Sequence, residues 1–289
     1  MTSVLARICL AAVSLPSSQA TIVVVYEPGV DAYAEALEGL GASLGSNAFR
    51  VVDLRDGDPS LTSALGAKDT QLVIAVGGRA LAEVQSRKAS APVLATMVLH
   101  SSEVEGTAHV DLDVPLSIEL GAMRALWPQR VRVGIVRNPG RSRYSAEALE
   151  SRARKEGFTP LVVDCDGPGR LLKAVAAMKG KVDFLVCFPD PDLYNPLTIK
   201  PLVMASLESR LPIVGFSPAF VRAGAAAGIY PDYRETGRQT AEVALRMMHG
   251  EDHGADDGPR KVRVAINQRI ARLLGVEFQT SALSVEVFR

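Results

Sequence analysis

The sequence predicts an α/β protein built as two doubly wound parallel-sheet lobes joined by a hinge. Three observations carry this. Short continuous Val/Ile/Leu runs, the mark of strands buried on both faces, alternate with segments of helical spacing. The chain also repeats itself at long range. Pro28-Gly29 and Pro139-Gly140 lie 111 residues apart, and Tyr33/Tyr144 and the two VVD triplets at 51–53 and 162–164 keep that offset. "AEALE" recurs at 34–38 and 146–150, slipped by one residue. A period this long exceeds any solenoid repeat and suits a duplicated domain. Finally, 289 residues with 47% hydrophobic and 22% charged composition accommodate two moderate domains, each with a core.

In order, TIVVVY (21–26) reads as the first strand, followed by a helix over 31–44 and the strand FRVVDL. A helix near 60–67 precedes the strand run LVIAVGG; ALAEVQSRK reads as helix and APVLATMV as strand. DVPLSIELGAMRALWPQ (113–129) is expected to cross between the lobes as a helix. It should stop before Trp127-Pro128, because a residue preceding proline disfavours α geometry. The second half repeats the order: VRVGIVR, a helix over 142–156, TPLVVD, a helix over 170–179, DFLVCF, a helix over 195–210, LPIVGF and the short strand AAAGIY. The segment 232–249 opens on Asp and ends near Gly, as helices do. KVRVAI, NQRIARLLG and VEF are read as a closing strand, helix and strand that return to complete the first lobe. Lobe one is therefore drawn as 21–114 plus 250–289, and lobe two as 115–249.

Residues 1–20 carry one charge, Arg7, a short apolar run and small residues ending at Ala20. This is the pattern of a secretory signal peptide cleaved after Ala20, which predicts a periplasmic protein; the alternative is an ordinary N-terminal segment. Cys165 and Cys187 would remain. They fall on strands that flank a third, so two buried free thiols are expected.

Formal net charge is zero and the pI about 6.9, which removes the electrostatic case for nucleic acid. His100, His109, His249 and His253 form no metal-binding spacing, so neither a metal nor a cofactor is expected. There is no phosphate loop, dinucleotide fingerprint or nucleophile elbow, and no catalytic residue is assigned.

Ligands of open α/β sheets bind beyond the carboxyl ends of the strands. That rule selects Glu27, Gly77, Gly78 and His100 in lobe one, and Asn138, Arg141, Ser142, Asp190, Tyr194, Phe216 and Asp232 in lobe two. Gly77-Gly78 would offer backbone N–H groups to an anion, or serve only a tight turn. Arg141 suits a carboxylate, with an exposed loop charge as the plain alternative. Ser142 can cap a helix while touching ligand. Glu27, Asp190 and Asp232 each suit an ammonium group, Asp232 equally being a helix cap. Tyr194 and Phe216 would be apolar walls.

RVGIVRNPGRS, the stretch from FPDPDLYNP to RMMHG (188–250) and VRVAINQRIARLLGVEF together resemble the ABC transporter substrate-binding protein family of type I periplasmic-binding fold, the group that includes tryptophan/tyrosine-type binding proteins. Lobe one departs from the family pattern in its short first loop, YEPGVDAY, and in VLHSSEVEG after the fourth strand. The resemblance implies a monomeric, non-enzymatic protein that closes around an amino-acid-like small molecule and delivers it to an ABC permease. The alternatives keep the fold: a periplasmic sensor that presents its bound state to a membrane signalling protein, an epimerase-like enzyme using the same crevice, or a regulator core.

Overall fold

The computed structural model describes residues 21–45, 48–56, 58–100, 106–251, 258–280 and 285–288. The expected signal segment lies outside them. The chain forms two sheets. The first comprises β1 (Thr21–Tyr26), β2 (Phe49–Asp53), β3 (Thr70–Val76), β4 (Val93–Val98) and β5 (Ala108–Asp111), in the order β2-β1-β3-β4-β5 and all parallel. The second comprises β6 (Arg132–Arg137), β7 (Thr159–Asp164), β8 (Phe184–Val186), β9 (Ile213–Gly215), β10 (Ala227–Pro231), β11 (Val262–Asn267) and β12 (Val285–Phe288). Its order, β7-β6-β8-β9-β10 followed by β11 and β12, repeats the first sheet strand for strand and then adds two. The 111-residue offset aligns β1 with β6 end to end.

Alternation along β1 builds two cores at once. Ile22 and Val24 face a layer with Ala36 and Leu40 of α1 (Asp31–Leu44) and Ala241 and Ala244 of α9 (Tyr233–Met248). Val23 and Val25 face Leu61 and Leu65 of α2 (Asp58–Gly66) and Leu81 and Val84 of α3 (Gly78–Ser86). In the second lobe, α4 (Leu116–Leu126), α5 (Ala146–Lys155) and α10 (Gln268–Leu274) cover one face, while α6 (Pro168–Met178), α7 (Pro196–Ser209) and α8 (Pro218–Ala223) cover the other. Cys165 and Cys187 are buried and free, each directly after a strand that flanks β6, as expected.

The lobe boundaries differ from the sequence reading. β11 pairs antiparallel with β10 over Val262–Ile266 and extends the second sheet instead of returning to the first. The helix α9, assigned by sequence to lobe two, packs on the first. Gly39 of α1 lies against the Arg234 carbonyl and Gly237 of α9 against that of Ala36, so a Cβ at either glycine would overlap the opposite backbone. Two glycines facing each other's helix allow an approach that larger residues forbid. Three connectors therefore pass between the lobes side by side. Gly258 abuts the Asp113 carbonyl, and the Asp232 amide bonds to the Lys261 carbonyl at 2.9 Å.

Four element assignments also change. Strand β5 and the short helix α8 were not anticipated. Val276–Phe278 is not a strand; Val276 and Phe278 pack into the second core, and β12 forms the sheet edge in their place. Helix α5 begins at Ala146, four residues late, with Ser145 as its cap, accepting from the Ala148 amide at 3.2 Å. Helix α4 ends at Leu126, and the Trp127 indole donates to the Glu277 carbonyl at 3.1 Å.

Candidate ligand-binding cleft

A cavity of about 270 Å³ lies where the lobes meet, near the carboxyl ends of β6, β8, β9 and β10 and beside the segments that follow β4 and β5. The space is small-molecule sized; such pockets run roughly 300–1,000 Å³. His100, Asn138, Arg141, Ser142, Asp190, Tyr194 and Phe216, seven of the residues selected from sequence, line it.

The loop after β6 builds one wall. Asn138 is buried; its Oδ1 accepts from the Gly140 amide at 3.1 Å, and its carbonyl accepts from the Arg141 and Ser142 amides at 3.1 and 2.9 Å. This Asx turn fixes the loop. Ser142 exchanges hydrogen bonds with the Tyr144 backbone, donating at 3.0 Å and accepting at 3.3 Å, and so shapes the loop instead of capping the helix. Arg141 pairs with Asp192 at 2.8 Å. After β8, the Asp190 Oδ1 accepts from the Asp192 and Leu193 amides at 2.8 and 3.0 Å. That leaves its second oxygen uncommitted in these bonds. Tyr194, Phe216 and Phe220 form an aromatic triad with centroids 5.4–6.0 Å apart; the first two face the cavity.

The first lobe contributes charge. Asp113 Oδ2 accepts from the His100 amide at 2.6 Å, and His100 Nδ1 lies 3.3 Å from the same oxygen. Arg143, from lobe two, reaches Asp111 at 2.9 Å and Asp113 at 3.3 Å. Burial opposes ionisation of Asp113, but the His100 hydrogen bonds and the Arg143 charge outweigh it and hold its carboxyl below the ordinary range. His100 has φ +55° and Met97 φ +57°. Met97 sits where the β4–β5 register shifts, so a bulge redirects the chain just before the cavity.

Four selected residues lie outside the cavity lining. Glu27 pairs with Arg79 across the first sheet's carboxyl edge. Gly77, with φ +91°, donates its amide to the Thr96 carbonyl at 2.9 Å, so this N–H is not offered to an anion. A Cβ at Gly77 would fall on the Tyr33 ring, whereas Gly78 opens α3 in free space. Asp232 caps α9, accepting from the Glu235 amide at 3.2 Å, the plain role allowed for it.

Sequence reasoning passed over Asp113, Glu119, Tyr144 and Phe188, which also line the cavity, as do Arg143 and Tyr233. A signal for Glu119 existed. It stands three residues after Leu116 and four before Met123, on the buried stripe of α4, where an acid is out of place. Burial, with the Asp113 charge adding to it, pushes its carboxyl up to about 8.

Among the described residues no cluster of metal-ligating side chains occurs, and no helix is long and apolar enough to cross a membrane.

Comparison with known proteins agrees with this architecture. A Clostridioides difficile protein named tyrosine-binding protein is 24% identical over 153 residues, 52% of this chain; the chain spans only 43% of that relative's length. Two solved structures share the fold at 19% identity. One is the ligand-free, open structure of a Clostridium difficile substrate binding protein with adhesive properties (TM-score 0.69, covering 93% of this chain and 99% of that one). The other is an ABC domain in complex with L-Trp from Streptococcus pneumonia (TM-score 0.60, covering 94% and 100%). The sequence profile of the family described as ABC transporter substrate binding protein matches residues 63–287, and the chain belongs to that family.

Proposed function

We propose that this protein is an extracytoplasmic solute-binding protein that holds an amino-acid-like molecule in the cleft between its lobes and delivers it to an ABC permease. The observation that carries the reading is the cavity itself. It is lined from both lobes, with cationic and anionic side chains set around an aromatic wall. A zwitterion with an apolar side chain matches that combination. Its ammonium group would meet Asp190. Its carboxylate would lie along the Asn138–Ser142 loop beside Arg141, and its side chain would stack on Tyr194 and Phe216. The named ligands of two relatives, tyrosine and L-Trp, support this class.

Closure would carry the first lobe's edge, with Glu27 and Gly78, toward the cavity mouth, because a ligand touching both lobes favours the state in which both touch it. Titration calorimetry of the chain from residue 21 with the twenty amino acids tests the reading. Saturable one-to-one binding of an aromatic amino acid is expected. Absence of heat and of thermal stabilisation with every amino acid would refute it.

A further inference from the structure

Two polar side chains lining the cavity carry an oxygen with no nitrogen or oxygen partner among the described residues. Glu119 is 4% exposed, and its Oε1 has no hydrogen-bond partner among the described residues. Tyr194 is 6% exposed, and its hydroxyl meets only the Cys187 thiol, a weak hydrogen-bonding partner. They arrive from different elements, α4 and the segment after β8, and both approach the buried Cys187 thiol. Leu116, Leu149, Phe188 and Ile229 supply part of the cavity's apolar lining. Buried polar atoms are almost always satisfied, and one left alone is destabilising. Two such atoms in the lining of one cavity point to a ligand group that can bond to both.

We infer that Glu119 and Tyr194 hydrogen-bond a neutral polar group, such as a phenol O–H, an indole N–H or an amide, carried on the apolar part of the bound molecule. This rests on the proposed function and adds a specificity rule to it. A neutral group fits better than a second ammonium for a physical reason. Asp113 already places a negative charge near Glu119, and the apolar wall disfavours a second one. An uncharged carboxyl offers one donor and one acceptor, which a phenol or amide can match. The ligand's own charges are left for Asp190 and the Asn138–Ser142 loop, on the polar side of the cavity. A site built to bond a ligand's O–H or N–H rejects the analogue that lacks it, because its own polar groups are then stranded.

The test compares tyrosine, phenylalanine, tryptophan, 3-(1-naphthyl)alanine and 4-(aminomethyl)phenylalanine by calorimetry on the unmodified chain, Glu119→Gln and Glu119→Leu. In the unmodified chain the donor-bearing member of each pair, tyrosine over phenylalanine or tryptophan over naphthylalanine, should bind at least 10-fold more tightly. Glu119→Gln should retain that preference and Glu119→Leu should erase it while still binding the apolar analogue, which also shows that the variant is folded. Equal affinity within both pairs in the unmodified chain, an unchanged preference in Glu119→Leu, or tightest binding of the aminomethyl analogue would each overturn the inference. Failure of the unmodified chain to bind any of the five would instead count against the proposed function.

Discussion

Arg143 in the second lobe donates from Nη2 to Asp111 Oδ2 in the first at 2.9 Å, with the Asp111 side chain 5% exposed and the arginine 29%. The pair spans the lobes beside the connector that leads into α4 and, together with Arg143–Asp113 and Arg263–Glu35, ties down the relative placement of the two sheets. Removing the arginine withdraws a charged partner from a buried carboxylate, which is destabilising. Arg143→Met should lower unfolding stability by about 2 kcal/mol, allowing for the partial exposure of the guanidinium. It should also widen the distribution of lobe separations. Urea unfolding and small-angle scattering read the two effects. An unchanged radius of gyration with unchanged stability would show that the contact is incidental.

The helix pair that fastens α9 to the first lobe is a second point of leverage. Gly39 and Gly237 each face the other helix's backbone with no room for a methyl group. Because both neighbours are backbone, neither can swing away, and the helices must separate. Gly237→Ala or Gly39→Ala should cost roughly 1–3 kcal/mol or more. The two substitutions combined should cost less than the sum of both, since one displacement accommodates both methyl groups. Chemical denaturation of the three variants checks this; additive losses would place the strain elsewhere.

The repeat and the Val-rich runs made most of this architecture legible before any coordinates, because they report burial on both faces of a strand. Strand β5 was hidden because AHVD has a single strongly apolar residue and acquires its identity from pairing with β4. The fate of 262–288 was hidden for a related reason. KVRVAI is equally compatible with either sheet, and what decides is the antiparallel register with Ala227–Pro231, a long-range relation that no local pattern encodes. At the site, strand-end residues of the second lobe were found by rule. Asp113 and Glu119 escaped because they sit on a connector and a helix. Glu27 and Gly77 satisfied the rule yet lie outside the cavity, engaged with Arg79 and Tyr33.

Glu119 should leave a pH signature on stability. Its carboxyl is raised in the folded state to about 8, against an ordinary value near 4.3 in the unfolded chain. A raised pKa means that the folded state binds the proton more tightly. The contribution is therefore complete below about pH 4 and is lost as pH rises through 8. Its full size is on the order of 5 kcal/mol. Asp113 works in the opposite direction: lowered, it contributes above the ordinary carboxylate range and loses that contribution in acid. Between pH 5.5 and 8.5 the melting temperature should fall, and Glu119→Gln should flatten most of that fall. A variant as pH-sensitive as the original chain would assign the slope to another group.

Asp190 offers the cleanest separation of binding from folding. Its Oδ1 holds the Asp192 and Leu193 amides, so an alanine there releases the turn that carries Tyr194. Asparagine keeps an acceptor at Oδ1 and removes the charge. If Asp190 holds the ligand ammonium, Asp190→Asn should weaken binding by about 10- to 100-fold, the worth of a charge-assisted hydrogen bond of roughly 1.5–3 kcal/mol. Its ligand-free melting temperature should stay near that of the original chain. Asp190→Ala should lose both affinity and stability. The contrast between the two is what matters, because a carboxylate serving only the turn would show the alanine defect and no asparagine defect. Calorimetry with the tightest-binding amino acid, paired with ligand-free thermal melts, gives both readings.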